Sequence, residues 1–213
     1  MTVKTIVTGI WKENCHIISN NSNEALIIDP GADFNLIEQY ISSHKLTPIA
    51  IINTHAHHDH VGAVEDCKIH FDIPFYLHSK DNKLLKQVNL YLMLFGDKNL
   101  VKVPKVDFDL KEVEVLKLGN FTIKIIETPG HTKGGVCFLI DNLLFSGDTL
   151  LKGNIGRTDL PEANKAAAIE SLKKITQLPA NTIVYSGHGS VTTIGEECKN
   201  NVPLQELLNG TSN

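Results

Sequence analysis

Cysteine is scarce and scattered. The 213 residues hold only Cys15, Cys67, Cys137 and Cys198, with no Cys-x-x-Cys pair. That excludes a small disulfide-stapled scaffold, and reduced thiols of a cytoplasmic protein, packed as small apolar residues, are expected. Long hydrophobic runs are missing too. The stretch from Leu90 to Phe95 is among the longest and is far too short to cross a bilayer. No basic, then apolar, then small-residue leader opens the chain, and Val3 to Ile10 reads as a strand instead. Charge blocks and low-complexity tracts are absent, and the net charge of −4 gives no footprint for nucleic acid or an anionic membrane. A composition of 42% hydrophobic and 21% charged residues excludes disorder and collagen-like repeats. The expectation is one domain over residues 1–213, with a short helical tail from about residue 193, as a monomer or small homo-oligomer.

What the chain does have is ten histidines. Their setting follows from the hydrophobic pattern. Val3 to Thr8, Asn14 to Ser19 and Ala25 to Ile28 are β-leaning runs suited to an antiparallel meander, closed by the turn Asp29-Pro30-Gly31. From Asp33 the residues Phe34, Ile37, Tyr40 and Ile41 fall at helical spacing, and Ile49 to Ile52 is a continuous apolar run of a strand buried on both faces. Strands recur at Phe121 to Ile126, Val136 to Ile140, Leu143 to Phe145 and Thr182 to Tyr185. Between the last two lies a helix from Lys165 to Leu178, striped by Ile169, Leu172, Ile175 and Leu178. Thr193-x-x-Glu196 has the form of a capping box. Val88 to Phe95 reads as a core helix, with a lid or dimer contact as the sharper alternative. Two packed sheets with helices outside them, an α+β architecture, account for this order.

The chemistry sits at strand ends. His55-Ala56-His57-His58-Asp59-His60 follows the run Ile49 to Ile52 directly. His131, Asp148 and His188 each follow a strand and each has glycine immediately before it, which permits a tight turn and a close backbone approach. Imidazole with carboxylate suits Zn²⁺, Fe²⁺ or Mn²⁺, whereas structural zinc sites recruit thiolates and close at four ligands. His55, His57, Asp59, His60, His131, Asp148 and His188 are too many for one tetrahedral ion. They suit two ions that share a carboxylate, hold a hydroxide and polarise an acyl or phosphoryl oxygen.

These residues resemble the metal motif of the metallo-β-lactamase superfamily, and Asp29-Pro30-Gly31 resembles a turn common in it. The resemblance implies an αββα sandwich with the site at the edge between the sheets. It implies His55, His57 and His131 on one metal, Asp59, His60 and His188 on the other, and Asp148 bridging them. Gly147-Asp148-Thr149-Leu150, Gly156-Arg157-Thr158-Asp159 and His188-Gly189-Ser190 are closest to the short glyoxalase II-like members. Dinuclear β-lactamases usually carry cysteine where Asp148 stands. The function implied is hydrolysis of a small-molecule thioester, such as an acylglutathione, with two divalent metals, zinc first. Asp148 and Asp59 serve the nucleophile, and Arg157 binds a substrate carboxylate.

Plainer readings stand beside these. His16, His44, His70 and His78 are expected to be packed or surface residues, His58 to pack beside the motif, Asp29 to serve its turn, with contact to a metal ligand as the sharper alternative, and Arg157 to pair with Asp159. A mononuclear iron persulfide dioxygenase using His55, His131 and Asp148 is the first functional alternative. A phosphodiesterase or nuclease is the second, and it lacks the basic strip that such a substrate needs.

Overall fold

Helices on the outer faces let strands be apolar on both sides, and that decides the layering. The computed structural model describes residues 1–94, 96 and 100–210. Strands β1 (Thr2–Thr8), β2 (Glu13–Ser19) and β3 (Glu24–Ile28) form the expected antiparallel meander. The chain then crosses through α1 (Phe34–Ser43) to β4 (Thr47–Ile52), parallel to β3. It continues through α2 (His58–Val61) and α3 (Val64–Phe71) to β5 (Phe75–Leu77). Helices α4 (Asn82–Lys86) and α5 (Val88–Leu94) precede β6 (Phe108–Asp109), which completes a six-stranded sheet in the order β1-β2-β3-β4-β5-β6.

The second sheet contains β7 (Val115–Leu118), β8 (Phe121–Glu127), β9 (Val136–Ile140) and β10 (Leu143–Gly147). A small hairpin, β11 (Leu150–Leu151) with β12 (Asn154–Ile155), and α6 (Lys165–Ile175) lead to β13 (Ile183–Ser186) and β14 (Thr192–Thr193). The order is β14-β13-β10-β9-β8-β7. Helices α7 (Ile194–Asn200) and α8 (Val202–Asn209) follow.

The period-2 alternation of strands sorts their side chains into three apolar layers. Ile18, Leu26, Ile28, Ala50 and Ile52 from the first sheet meet Phe121, Ile123, Phe138 and Phe145 from the second. The intervening residues Ile17, Ile27 and Ile51 face outward onto Ile37 and Ile41 of α1 and Val64 and Cys67 of α3. Beyond the second sheet, Cys137, Leu144 and Val184 pack on Leu172 and Ile175 of α6 and on Leu204 of α8. The architecture is αββα, as expected. Among the described residues no helix is long and apolar enough to cross a membrane.

Some expectations shift. Helix α6 ends at Ile175, short of Leu178, because Leu178 precedes Pro179 and a residue before proline is pushed away from helical geometry. Thr193 caps α7 by accepting from the Glu196 N–H, but the Glu196 side chain bonds Asn200 Nδ2 and leaves the box half-closed. Val88 to Leu94 is a helix with Val88 and Leu92 buried; Phe95 lies outside the described residues. Cys15, Cys67 and Cys137 are buried, whereas Cys198 is exposed, contrary to expectation, because it sits on a short surface helix.

Candidate metal centre

Strand direction gathers the donors. β8 and β10 are both antiparallel to β9, and β13 is parallel to β10, so the C-terminal ends of β8, β10 and β13 lie at one edge. His131, Asp148 and His188 leave from those three ends. The loop after β4 is tied to the same edge by the Val136 N–H, which donates to the Thr54 carbonyl at 2.9 Å. That loop carries His55 and His57, and the one-turn helix α2 carries Asp59 and His60. Glycine before His188 is required here: a Cβ on Gly187 would overlap Asp148 Oδ1 and His60 Cε1.

The histidines are oriented by their second ring nitrogens. A carboxylate only accepts, so His60 Nδ1 must carry the proton it gives to Asp29 Oδ2 at 3.1 Å, which makes Nε2 the atom that offers a lone pair when the ring is neutral. Thr54 Oγ1 donates to Asp29 Oδ2, so it accepts from His55 Nδ1 at 3.0 Å. His131 Nδ1 donates to the Arg157 carbonyl at 2.9 Å. His57 is turned the other way, with Nε2 2.8 Å from Glu162 Oε1, so its Nδ1 is the remaining donor atom. Glu162 is itself held by the Tyr91 hydroxyl at 2.9 Å.

The lone pairs converge. His55, His57 and His131 offer ligand atoms within 4.8 Å of one another, and Asp59, His60 and His188 do the same. Asp148 lies between the groups, with Oδ2 3.5 Å from His131 Nε2 and 3.6 Å from His188 Nε2, and Oδ1 3.7 Å from His60 Nε2. His188 Nε2 is 3.2 Å from Asp59 Oδ2. Asp29, His55 and His60 are also close enough to share an ion, but the Asp29 oxygens are already taken by Thr54 and His60. Four buried atoms in the cluster have no hydrogen-bond partner: His55 Nε2, His60 Nε2, His131 Nε2 and Asp148 Oδ1. Unpaired buried polar atoms are costly, and four aimed at one space fit cations.

Electrostatics carry the same signature. Burial, reinforced by the charges of His60, His57 and His131, pushes His55 well below its usual range. Burial also lowers His131, against the pull of Asp148. Burial would lower His60 as well, but Asp59, the Asp29 hydrogen bond and Asp148 outweigh it and raise the group. For Asp59, burial favours the neutral acid, yet His60 and His188 win and hold it ionised. The His57 hydrogen bond leads in taking Glu162 down to about 2.

All seven donors named from the sequence are thus brought together. For Asp29 the structure favours the sharper alternative, contact with a metal ligand, since it accepts from His60 Nδ1 and orients that ring. Arg157 is exposed, and its guanidinium makes a two-point pair with Asp159 at 2.9 Å for each bond. His16 and His78 are buried, His44 and His70 are exposed, and His58 packs edge-on against Trp11 at 5.6 Å. Sequence reasoning missed Glu162, Tyr91 and Asp81. Buried Asp81 accepts from Ala56 N, Thr132 Oγ1 and Gly134 N, tying the first histidine loop to the one carrying His131. No local pattern marks these three, because each acts across a long sequence separation. A cleft of about 340 Å³ opens over the cluster, lined also by Trp11, Tyr91, Arg157, Leu160 and Glu162.

An αββα sandwich with histidine and aspartate donors gathered at one edge defines a class of metal-dependent proteins. The family model described as "Metallo-beta-lactamase superfamily" matches residues 8–188, and the chain belongs to that superfamily. It is 38% identical to the Bacillus subtilis protein named "Probable metallo-hydrolase YqgX", with all of both chains covered (100% each). It is 34% identical to the Haemophilus influenzae "Hydroxyacylglutathione hydrolase GloC", over 94% of this chain and 97% of that one. Among solved structures it resembles BLEG-1 B3 metallo-beta-lactamase, with a TM-score of 0.90, 39% identity, and 95% and 99% of the two chains covered. TTHA1623, in a di-iron-bound form, has a TM-score of 0.85 at 34% identity, with 93% and 98% covered.

Proposed function

We propose that the chain is a metal-dependent hydrolase of small-molecule thioesters of the acylglutathione kind, working with two divalent ions. The observation that carries the two-ion reading is the pair of complete three-residue donor groups with Asp148 between them and four orphaned buried atoms facing the gap. His55 Nε2, His57 Nδ1 and His131 Nε2 would hold one ion, and Asp59, His60 Nε2 and His188 the other, with Asp148 serving both. Zinc suits this nitrogen and oxygen set, as do iron and manganese. Such ions, when bound, supply a water of near-neutral pKa and a Lewis acid for the acyl oxygen.

The chain's own residues account for the rest. Asp29, Thr54, Glu162 and the Arg157 carbonyl hold the imidazoles in register, so little reorganisation is needed when substrate arrives. Asp59, whose Oδ2 lies 3.2 Å from His188 Nε2 beside the second donor group, is placed to accept the proton of the attacking water. The C–S bond breaks as the C–O bond forms. The departing thiolate, with a thiol pKa near 8.5, leaves without a protonated side chain beside it. Arg157, at the rim of the cleft, is placed to meet a carboxylate of the thiol.

The thioester reading is supported by the 34% identity to a hydroxyacylglutathione hydrolase over nearly the whole of both chains. The likeness to BLEG-1 favours a second reading, β-lactam hydrolysis. A mononuclear dioxygenase would leave Asp59, His60 and His188 without a role. The test is metal content of freshly purified protein, with thiol release from acylglutathiones and opening of a chromogenic cephalosporin measured on the same sample. About two ions per chain and chelator-sensitive thiol release are expected. One tightly held iron with oxygen uptake on a persulfide, or a cephalosporin rate above the thioester rate, would overturn the reading.

A further inference from the structure

A second cavity, of about 290 Å³, adjoins the cleft over the donor cluster. The two cavities share a wall made of Trp11, His58 and Asp59. The cleft on one side of that wall is the side with Arg157 and Glu162. The cavity on the other side is lined by Gly9, Ile10, Ala32, Leu92 and Val101. Most of its described polar groups are already engaged. Thr8 Oγ1 donates to Glu13 Oε2 at 2.6 Å, and Asp33 Oδ2 accepts from the Gly9 N–H at 2.8 Å. Asp59 Oδ2 faces His188, and the His58 ring lies edge-on to Trp11. Apart from the exposed Asp33 carboxylate, what the described lining offers a ligand is apolar, and Ile10 and Trp11 stand 74% and 43% exposed. Large apolar side chains left open beside a reactive centre point to a ligand that covers them. Small residues keep this lining open: a Cβ on Gly9, whose φ is +62°, would come within 3.2 Å of the Ala32 Cβ.

We propose that this cavity is the acyl subsite, and that the enzyme prefers thioesters of apolar acyl chains several carbons long over those of small hydroxyacyl groups. The inference rests on the thioesterase reading above. A thioester has two arms that diverge from one carbonyl, and the two cavities share Asp59 in their lining. The arm carrying carboxylates belongs on the side with Arg157, which leaves the apolar side for the acyl chain. The volume is that of roughly ten waters, at about 30 Å³ each, far more than a two- or three-carbon acyl group fills.

The experiment uses the metal-loaded protein and a series of S-alkylglutathiones, thioethers that cannot be hydrolysed, with methyl, butyl, hexyl and octyl chains, measured by calorimetry. Burying methylenes should tighten binding about two- to fourfold per added carbon over the first several carbons. In parallel, the kcat/KM ratio of octanoyl- to acetylglutathione is measured in the wild type, in Ala32→Phe, which fills the cavity, and in Trp11→Ala, which opens its wall. That ratio should exceed ten in the wild type and fall at least fivefold in both variants. Flat binding across the alkyl series, or an unchanged ratio in both variants, overturns the acyl subsite. Chain-length-dependent binding with no hydrolysis of any thioester upholds the apolar subsite and overturns the thioesterase reading, so the two failures are distinct.

Discussion

Replacing Asp29 by asparagine should move one proton and thereby loosen a metal. Asp29 is buried and accepts three hydrogen bonds, from Thr54 N at 2.7 Å, Thr54 Oγ1 at 2.5 Å and His60 Nδ1 at 3.1 Å. Its φ of +50° is one that asparagine tolerates and alanine does not. Asparagine keeps one acceptor oxygen, which can stay with Thr54 N, but its NH₂ then faces His60 Nδ1–H, donor against donor. The ring relieves the clash by shifting its proton to Nε2, the atom that should carry the lone pair towards the metal. Loss of such an orienting partner typically costs 10–100-fold in metal affinity. Alanine instead strands three buried donors, at about 1–3 kcal/mol each before relaxation, and adds about 1 kcal/mol of backbone strain. The expected total of about 4–10 kcal/mol before relaxation is a large part of the usual 5–15 kcal/mol of fold stability. Competition against a chromophoric chelator reads the affinity, and urea unfolding of metal-free protein reads the stability. Asp29→Asn binding metal within twofold of wild type, or Asp29→Ala as stable as Asp29→Asn, would refute the reasoning.

Three further outcomes are expected. His16 is buried, and burial lowers its pKa from 6.5 to about 4 despite the Ser186 carbonyl bond. The unfolded ring therefore takes up a proton that the folded one refuses, so its contribution is full above pH 6.5 and is lost as pH falls towards 4. At 1.36 kcal/mol per unit that is about 3 kcal/mol. Urea unfolding of metal-free protein at stepped pH should be shallower in slope for His16→Asn, and an equal slope would sink the assignment. A thiol reagent under native conditions should label Cys198 alone, since the other three cysteines are buried; mass spectrometry showing an adduct on Cys67 or Cys137 before Cys198 contradicts this. Arg157→Ala should raise the KM of an acylglutathione severalfold and leave a neutral thioester unaffected. Asp159→Asn, which frees the guanidinium, should lower that KM; equal effects on charged and neutral substrates would make Arg157 structural.

The donors were legible because their setting is local. His55, His57, Asp59 and His60 share one short stretch after an unmistakable apolar strand, and His131, Asp148 and His188 each follow a strand and a glycine. The three-layer core was legible for a related reason: Ile49 to Ile52 and Val136 to Ile140 lack polar alternation, as strands covered on both faces must. Elements with little apolar signal were missed. Helix α3 carries Glu65, Asp66, Lys68 and His70 on an open face, and β6, β11 and β12 are two residues each. The orienting partners were illegible on principle. Glu162 reaches His57 across 105 positions and Asp81 reaches Thr132 across 51, so nothing near either residue announces the contact. Cys198 failed differently, because a residue type that is usually buried carries no information about which helix face it occupies.

The structure also shows why those remote partners matter more than their invisibility suggests. Five imidazoles and two carboxylates share the cluster, with ring centroids as close as 4.1 Å for His55 and His60. Protonating several of these rings together brings like charges into contact, and leaving them neutral strands their lone pairs among buried atoms. Either state opposes folding of the metal-free chain. The opposition is met from outside the cluster by Asp29, Thr54, Glu162 and the Arg157 carbonyl, each taking one proton-bearing nitrogen. The remaining lone pairs gain a partner only when cations arrive, so metal binding and folding stability are linked through the same atoms. The three apolar layers must therefore hold the strand ends together against a destabilised edge. The extensive burial of β2, β3 and β4, which reaches to the edge of the sheet beside the donors, is the physical means by which they do so.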